Sequence, residues 1–285
     1  MTTTNDQFTV RFWGVRGSIA CPGPETVRYG GNTPCVEVQA GQNRLIFDGG
    51  TGLRVLGQHL LKELPVTAHL FFTHSHWDHI QGFPFFTPAF IPGNRFNIYG
   101  MIAPDGSTIE QRLSGQMLHP NFPVPLQVMG ASLNFHDLEL EKSLQLGDGV
   151  VIENALLNHP GESVGYRINW QGHGVAYITD TEHFPDRLDE NVLKLIQDAD
   201  VMIYDATYTD AEYSSEKSSK VGWGHSTWQE GVRLAEAANV KTFVIFHHDP
   251  LHNDDFLDAV GREAADRFPR AVMAQEGMVL SLLDP

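Results

Sequence analysis

The chain has 285 residues, 41% of them hydrophobic, enough to bury a large core in a single domain spanning 1–285. Its formal charge of −16 disfavours a long nucleic-acid partner, which would need many Lys and Arg contacts to phosphates; small anions stay compatible where bound cations supply positive charge. No apolar run approaches the roughly 20 residues that span a bilayer, residues 1–7 lack the regions of a secretion signal, and Cys21 and Cys35 are too few for a disulfide framework, so a cytoplasmic protein with neutral thiols is expected.

Apolar alternation predicts strands over 8–13, 35–39 and 44–47, with a glycine- and proline-rich loop over 14–34 between the first two. Asp48-Gly49-Gly50-Thr51-Gly52 ends the third strand and precedes a helical pattern over 53–64. Asp48 reads either as a turn residue or as a support for a metal-binding loop. The next apolar run, 68–72, leads into Thr73-His74-Ser75-His76-Trp77-Asp78-His79. Residues two apart in an extended segment project to the same side, so His74 and His76 are placed to grip one ion. As the chain turns away, Asp78 and His79 reach a second.

Over 100–138 the pattern is weaker. A helix is expected over 107–118, then an extended, proline-stiffened segment over 119–125 with His119 facing solvent. Strand rhythm resumes over 150–157, 163–169, 174–179, 201–204 and 242–246, with helices over 188–197, 227–238 and 254–267. Strands in both halves with interspersed helices suggest two packed sheets with helices outside. His159, Asp180 and the pair His247-His248 each follow directly on a strand, and Pro160 forces the chain to turn after His159. Ser226 and Gln229 read as a capping box that fixes His225 just outside a helix.

The run His74-Ser75-His76-Trp77-Asp78-His79 fits His-x-His-x-Asp-His and resembles the metallo-β-lactamase fold metallohydrolases. That resemblance implies an α/β fold, an αββα sandwich of two mixed sheets flanked by helices. It implies His74, His76, His159 and Asp180 on one ion, and Asp78, His79, Asp180 and His247 on the other, with His248 as the alternative last ligand. Asp48 would support the metal loop. Nitrogen and carboxylate ligands without thiolate suit a hydrolytic zinc pair, with manganese or iron compatible. No cysteine lies where a β-lactam-hydrolysing member would place one, and His76 stands where the diiron branch carries glutamate.

Gly224-His225-Ser226-Thr227 resembles a segment of the ribonuclease Z-like phosphodiesterases, implying His225 as a proton donor to the leaving oxygen. Asp205, in Tyr204-Asp205-Ala206-Thr207, would orient it. Asp78 would orient the attacking hydroxide as well as bind metal. The segments 12–18 and 29–34 look like a bacterial subgroup related to cyclic-nucleotide phosphodiesterases and to the cyclic-phosphate hydrolase of phosphonate breakdown. The expected activity is therefore metal-assisted hydrolysis of a small phosphodiester such as a cyclic nucleotide. The alternatives are an ester, thioester or lactone hydrolase, an RNA-processing endonuclease of ribonuclease Z type, and a non-catalytic metal sensor. Arg16 and Arg28 read as phosphate holders or as ordinary surface or turn residues. Analogy with the ribonuclease Z branch suggests a homodimer.

Overall fold

The computed structural model describes residues 7–283. The reading of the chain start as lacking a secretion signal concerns positions 1–7, of which 1–6 lie outside the described residues. The first sheet is built from β1 (Phe8–Gly14), β2 (Cys35–Ala40), β3 (Asn43–Phe47), β4 (Thr67–Phe71), β5 (Arg95–Met101) and β6 (Ser132–Leu138). The second takes β7 (Leu144–Gln145), β8 (Val151–Leu157), β9 (Ser163–Trp170), β10 (His173–Ile178), β11 (Val201–Asp205), β12 (Thr242–Phe246) and β13 (Ala271–Met273). A last strand, β14 (Val279–Ser281), returns to the first sheet and pairs antiparallel with β1. Both sheets are seven-stranded, in the orders β14-β1-β2-β3-β4-β5-β6 and β13-β12-β11-β10-β9-β8-β7.

Each sheet is mixed. β1, β2 and β3 are antiparallel, and β3 to β6 are parallel. Likewise β7 to β10 are antiparallel, and β10 to β13 are parallel. The facing surfaces of the sheets bury one core, in which Phe12, Phe47 and Phe71 of the first meet Tyr166, Tyr177 and Phe246 of the second. On the outer face of the first sheet lie α1 (Thr51–Leu60), α2 (Trp77–Ile80) and α3 (Ile109–Gln116). α4 (Glu190–Ile196), α6 (Trp228–Ala237) and α7 (Asp254–Arg267) cover the second, and the short α5 (Asp210–Tyr213) lies between β11 and α6. This is the αββα layering expected for two sheets that each have two apolar faces to cover. Among the described residues no helix is long and apolar enough to cross a membrane.

Three local expectations are corrected. The segment 119–125 is a set of turns beginning at the cis His119–Pro120 bond, not an extended run, although His119 is exposed. The cap of α6 is Thr227, whose hydroxyl accepts from Glu230 N at 3.1 Å; Ser226 is buried and its hydroxyl meets Tyr204 and His183, so the Ser226–Gln229 box does not form. The first helix begins at Thr51 rather than Leu53, because Gly52 lets it press on β1: a Cβ there would lie 2.7 Å from the Trp13 backbone. β5 and β6 are not among the expected strands, although Arg95-Phe96-Asn97-Ile98-Tyr99 of β5 does alternate. β6 alternates half-buried with exposed residues, and Asn134, His136 and Asp137 dilute its apolar pattern.

Candidate metal centre

β4, β8, β10, β11 and β12 end at one edge of the sandwich, and the residues just beyond those ends converge. Two overlapping clusters form, His74, His76, His159 and Asp180, and Asp78, His79, Asp180 and His247, and a third group, Asp180, Asp205, His225 and His247, overlaps the second; within each, the donor atoms lie within 4.8 Å of one another. His74, His79, Asp78, Asp180 and His247 are buried, while His76 is open to solvent at the mouth.

Hydrogen bonds at the rear fix which nitrogen each ring presents. His79 Nδ1 meets Asp48 Oδ2 at 2.8 Å, His159 Nδ1 meets the Gly224 carbonyl at 2.8 Å, His74 Nδ1 meets Thr73 Oγ1 at 3.0 Å and His247 Nδ1 meets Thr207 Oγ1 at 3.0 Å. A carboxylate or carbonyl partner requires the Nδ1 proton. The two threonine hydroxyls are free to accept one, since each can donate to an aspartate, Thr73 to Asp48 and Thr207 to Asp205. His79 and His159 therefore turn an Nε2 lone pair towards the centre, and the threonine partners let His74 and His247 do the same.

There those lone pairs face other acceptors. His79 Nε2 stands 3.1 Å from Asp180 Oδ2 and 3.3 Å from Asp78 Oδ2, yet neither it nor His74 Nε2 makes a hydrogen bond. Buried acceptors facing acceptors are costly unless protons or cations sit between them. The donor set of imidazole nitrogens and carboxylate oxygens fits two divalent ions. Asp180 belongs to both clusters, with Oδ1 3.8 Å from both His74 and His159 Nε2, and Oδ2 3.1 Å from His79 and 3.4 Å from His247 Nε2.

His225 lies beside the second cluster. Its Nδ1 is 2.9 Å from Asp205 Oδ2 and 4.0 Å from Asp180 Oδ1. Burial disfavours its charged form, but Asp205, then Asp180 and Asp78, outweigh that and push its pKa up to about 9. Asp205 is fully buried and is held in turn by Thr207 Oγ1 at 2.7 Å and the Thr181 N–H at 3.2 Å.

Asp48 is more than a turn residue. Besides His79, it accepts from the Thr73 N–H at 2.8 Å and the Tyr177 hydroxyl at 2.9 Å. Sequence reasoning misses Tyr177, Thr73 and Thr207, because a tyrosine in an apolar strand and threonines near strand ends carry no distinguishing pattern. Two further contacts have no sequence signal either. The Ser18 N–H donates to Asp78 Oδ2 at 2.7 Å, and Glu182 accepts from Gly222 N at 2.6 Å, Gly224 N at 2.8 Å and the Tyr213 hydroxyl at 2.6 Å. Glu182 thereby fixes the loop that carries His225 and the Gly224 carbonyl.

Other candidates stand apart. His248 is buried against Tyr29 and its Nε2 meets the Ala274 carbonyl at 2.9 Å; burial pushes its pKa down to about 3, and it faces neither the clusters nor solvent. Arg16 is not a surface residue. It is fully buried and donates to the Gly30, Asp249 and His252 carbonyls, with Asp254 at 3.7 Å, so it clamps two loops and has no free face for a phosphate. Arg28 is a surface residue paired with Asp255 and Asp258. Cys21 and Cys35 are free thiols, the second fully buried. The clusters open into a cavity of 440 Å³ lined by Ser18, Ser75, His76, Trp77, Asp78, Asp180 and His225.

Residues 43–248 match the family model of the Beta-lactamase superfamily domain. The chain is 24% identical to a ribonuclease Z of Staphylococcus carnosus over an alignment of 271 positions, covering 79% of this chain and 84% of that protein. Among solved structures, the metallo-beta-lactamase fold protein YhfI from Bacillus subtilis is similar at a TM-score of 0.72 and 20% identity, covering 98% of this chain and all, 100%, of that one. A diphosphatase from the PhnP family gives a TM-score of 0.68 at 18% identity, with 97% of this chain and 98% of that chain covered.

Proposed function

The chain belongs to the beta-lactamase superfamily, as a metal-dependent hydrolase of its ribonuclease Z-like branch, and we propose that it is a phosphodiesterase. The observation that carries this reading is the His225–Asp205 pair, 2.9 Å apart, whose histidine lines the same cavity as the two clusters. Bonds from phosphorus to alkoxide leaving groups break slowly without a proton donor, and activated esters need one less.

In this reading His74, His76, His159 and Asp180 hold one ion and Asp78, His79, Asp180 and His247 the other. Zinc is the first choice for such nitrogen and oxygen donors. Two divalent ions here would supply a water nucleophile at neutral pH and balance charge on the phosphoryl oxygens. Asp78, its Oδ2 held by the Ser18 N–H, orients the attacking water in line with the leaving group. His225 keeps its Nδ1 proton on Asp205 and gives the Nε2 proton to the departing oxygen. Asp205 orients the ring and stabilises its cationic form before transfer.

A small substrate such as a cyclic nucleotide suits a chain of charge −16. The likeness to ribonuclease Z supports an RNA substrate instead, and a transfer RNA precursor belongs in the same test. The zinc-loaded protein and its His225→Ala variant are assayed on 2′,3′- and 3′,5′-cyclic nucleotides, bis(p-nitrophenyl) phosphate, the RNA precursor, and an ester and lactone panel. Removing the acid should slow cyclic-nucleotide hydrolysis by about 100-fold or more, and p-nitrophenyl release much less, because p-nitrophenolate leaves unaided. Absence of phosphodiester hydrolysis by wild type, or equal losses on both leaving groups, overturns the reading.

A further inference from the structure

Trp77 sits inside the ligand motif, between His76 and Asp78, and opens the short helix α2. The three residues after it turn inward: Asp78, His79 and Ile80 are 5%, 0% and 4% exposed. The indole of Trp77 points the other way and is 82% exposed. Its backbone is fixed, since its carbonyl accepts from Gln81 N at 2.8 Å and the His76 carbonyl accepts from His79 N at 3.0 Å. Its ring is not. The other exposed phenyl and indole rings among the described residues have partners: Phe85 meets Phe122 edge-on at 5.6 Å, and Trp223 carries Lys220 Nζ 4.1 Å above its ring. Among the described residues no aromatic ring or cation lies against Trp77, and it lines the cavity with His76, Asp78, Asp180 and His225.

A large apolar face in water, rigid at its base and unpacked, adds nothing to the core. Placed at the wall of the cavity where the phosphoryl group would sit, it offers a flat surface to whatever substituent that group carries. We propose that Trp77 is a stacking platform that makes the site selective for phosphodiesters bearing a planar aromatic group, a nucleobase, over those with aliphatic substituents. This rests on the phosphodiesterase reading. Stacking is tolerant of base identity, because every base has a π-face, so the platform selects nucleotides as a class and leaves the choice of base to other contacts.

The test compares wild type, Trp77→Ala and Trp77→Phe as zinc-loaded full-length protein. Two substrates are used, adenosine 2′,3′-cyclic phosphate and the baseless methyl ribofuranoside 2′,3′-cyclic phosphate. The ratio of their kcat/KM values should fall about tenfold to a hundredfold in the alanine variant, with the phenylalanine variant between the two. A binding arm needs no turnover: calorimetry with adenosine 5′-monophosphate and ribose 5-phosphate should show a preference for the former that Trp77→Ala removes. If wild type cleaves neither cyclic phosphate, the phosphodiesterase reading fails while the binding arm still decides on the platform. An unchanged kcat/KM ratio, or equal affinity of wild type for the two monophosphates, overturns the proposal. So does a change in sedimentation of Trp77→Ala without a change in selectivity, which would assign the ring to a contact between copies of the chain.

Discussion

Replacing Asp48 by asparagine tests whether the ligand histidines are set from behind. The change is nearly isosteric, and asparagine accepts the left-handed backbone that Asp48 adopts at φ 61°, so strain does not confuse the result. The new side chain would keep the contacts to Thr73 through its carbonyl oxygen, and the Tyr177 hydroxyl can rotate to accept from its amide. The His79 Nδ1–H, now 2.8 Å from a carboxylate oxygen, would face an NH₂ group instead. Two outcomes compete. If the ring keeps its tautomer, a buried charge-assisted hydrogen bond is replaced by an orphaned donor, at a cost of about 2–3 kcal/mol. If the proton moves to Nε2, the ring stays satisfied but no longer presents a lone pair to the metal, and affinity falls about 10- to 100-fold. Urea unfolding of the metal-free protein measures the first, and chelator competition for zinc the second. The reasoning is refuted if zinc affinity stays within about twofold of wild type and unfolding within about 0.5 kcal/mol.

Gly82→Ala should destabilise by about 3 kcal/mol, since the new Cβ would lie 1.8 Å from the Gly50 carbonyl oxygen, a backbone atom that cannot move without shifting the metal loop. Gly115→Ala, in α3 with nothing within 4 Å, is the control and should stabilise by about 0.5–1 kcal/mol in the same thermal melts; a loss at Gly115 as large as at Gly82 would refute the steric argument. Away from the metal centre, Glu212 works against its own burial. His252 Nε2 at 2.7 Å and the Thr209 N–H at 2.9 Å hold it from its ordinary 4.5 down to about 2. A depressed carboxylate gives stability that is complete above its unfolded pKa and lost as pH falls through the folded one. The wild-type melting temperature should therefore drop more steeply than that of Glu212→Gln between pH 4.5 and about 2; parallel profiles in that window would refute the pairing.

Local pattern alone is enough to place the strand-end residues and their order. An apolar strand followed by a polar side chain recurs at His74, His159, Asp180, Asp205 and His247, and period-two burial needs only near neighbours to be read. α7 falls on its expected bounds, 254–267, because Asn253 caps it and its apolar spacing is regular. What each side chain meets depends on how the sheets pack. His247 and His248 are adjacent, and only the left-handed backbone at His247, φ 63°, turns the first towards Asp78 and sends the second to Ala274. Tyr177 reaches Asp48 across 129 positions of sequence, and Glu182 holds Gly224 across 42. Hydrogen bonds between strands of different sheets leave no periodic mark on either segment, since each partner need only be polar and in the right place once the sheets have packed. The same holds for Trp77: its place in the ligand motif does not say which way its ring turns, and only the inward turn of Asp78, His79 and Ile80 in α2 puts it at the cavity mouth.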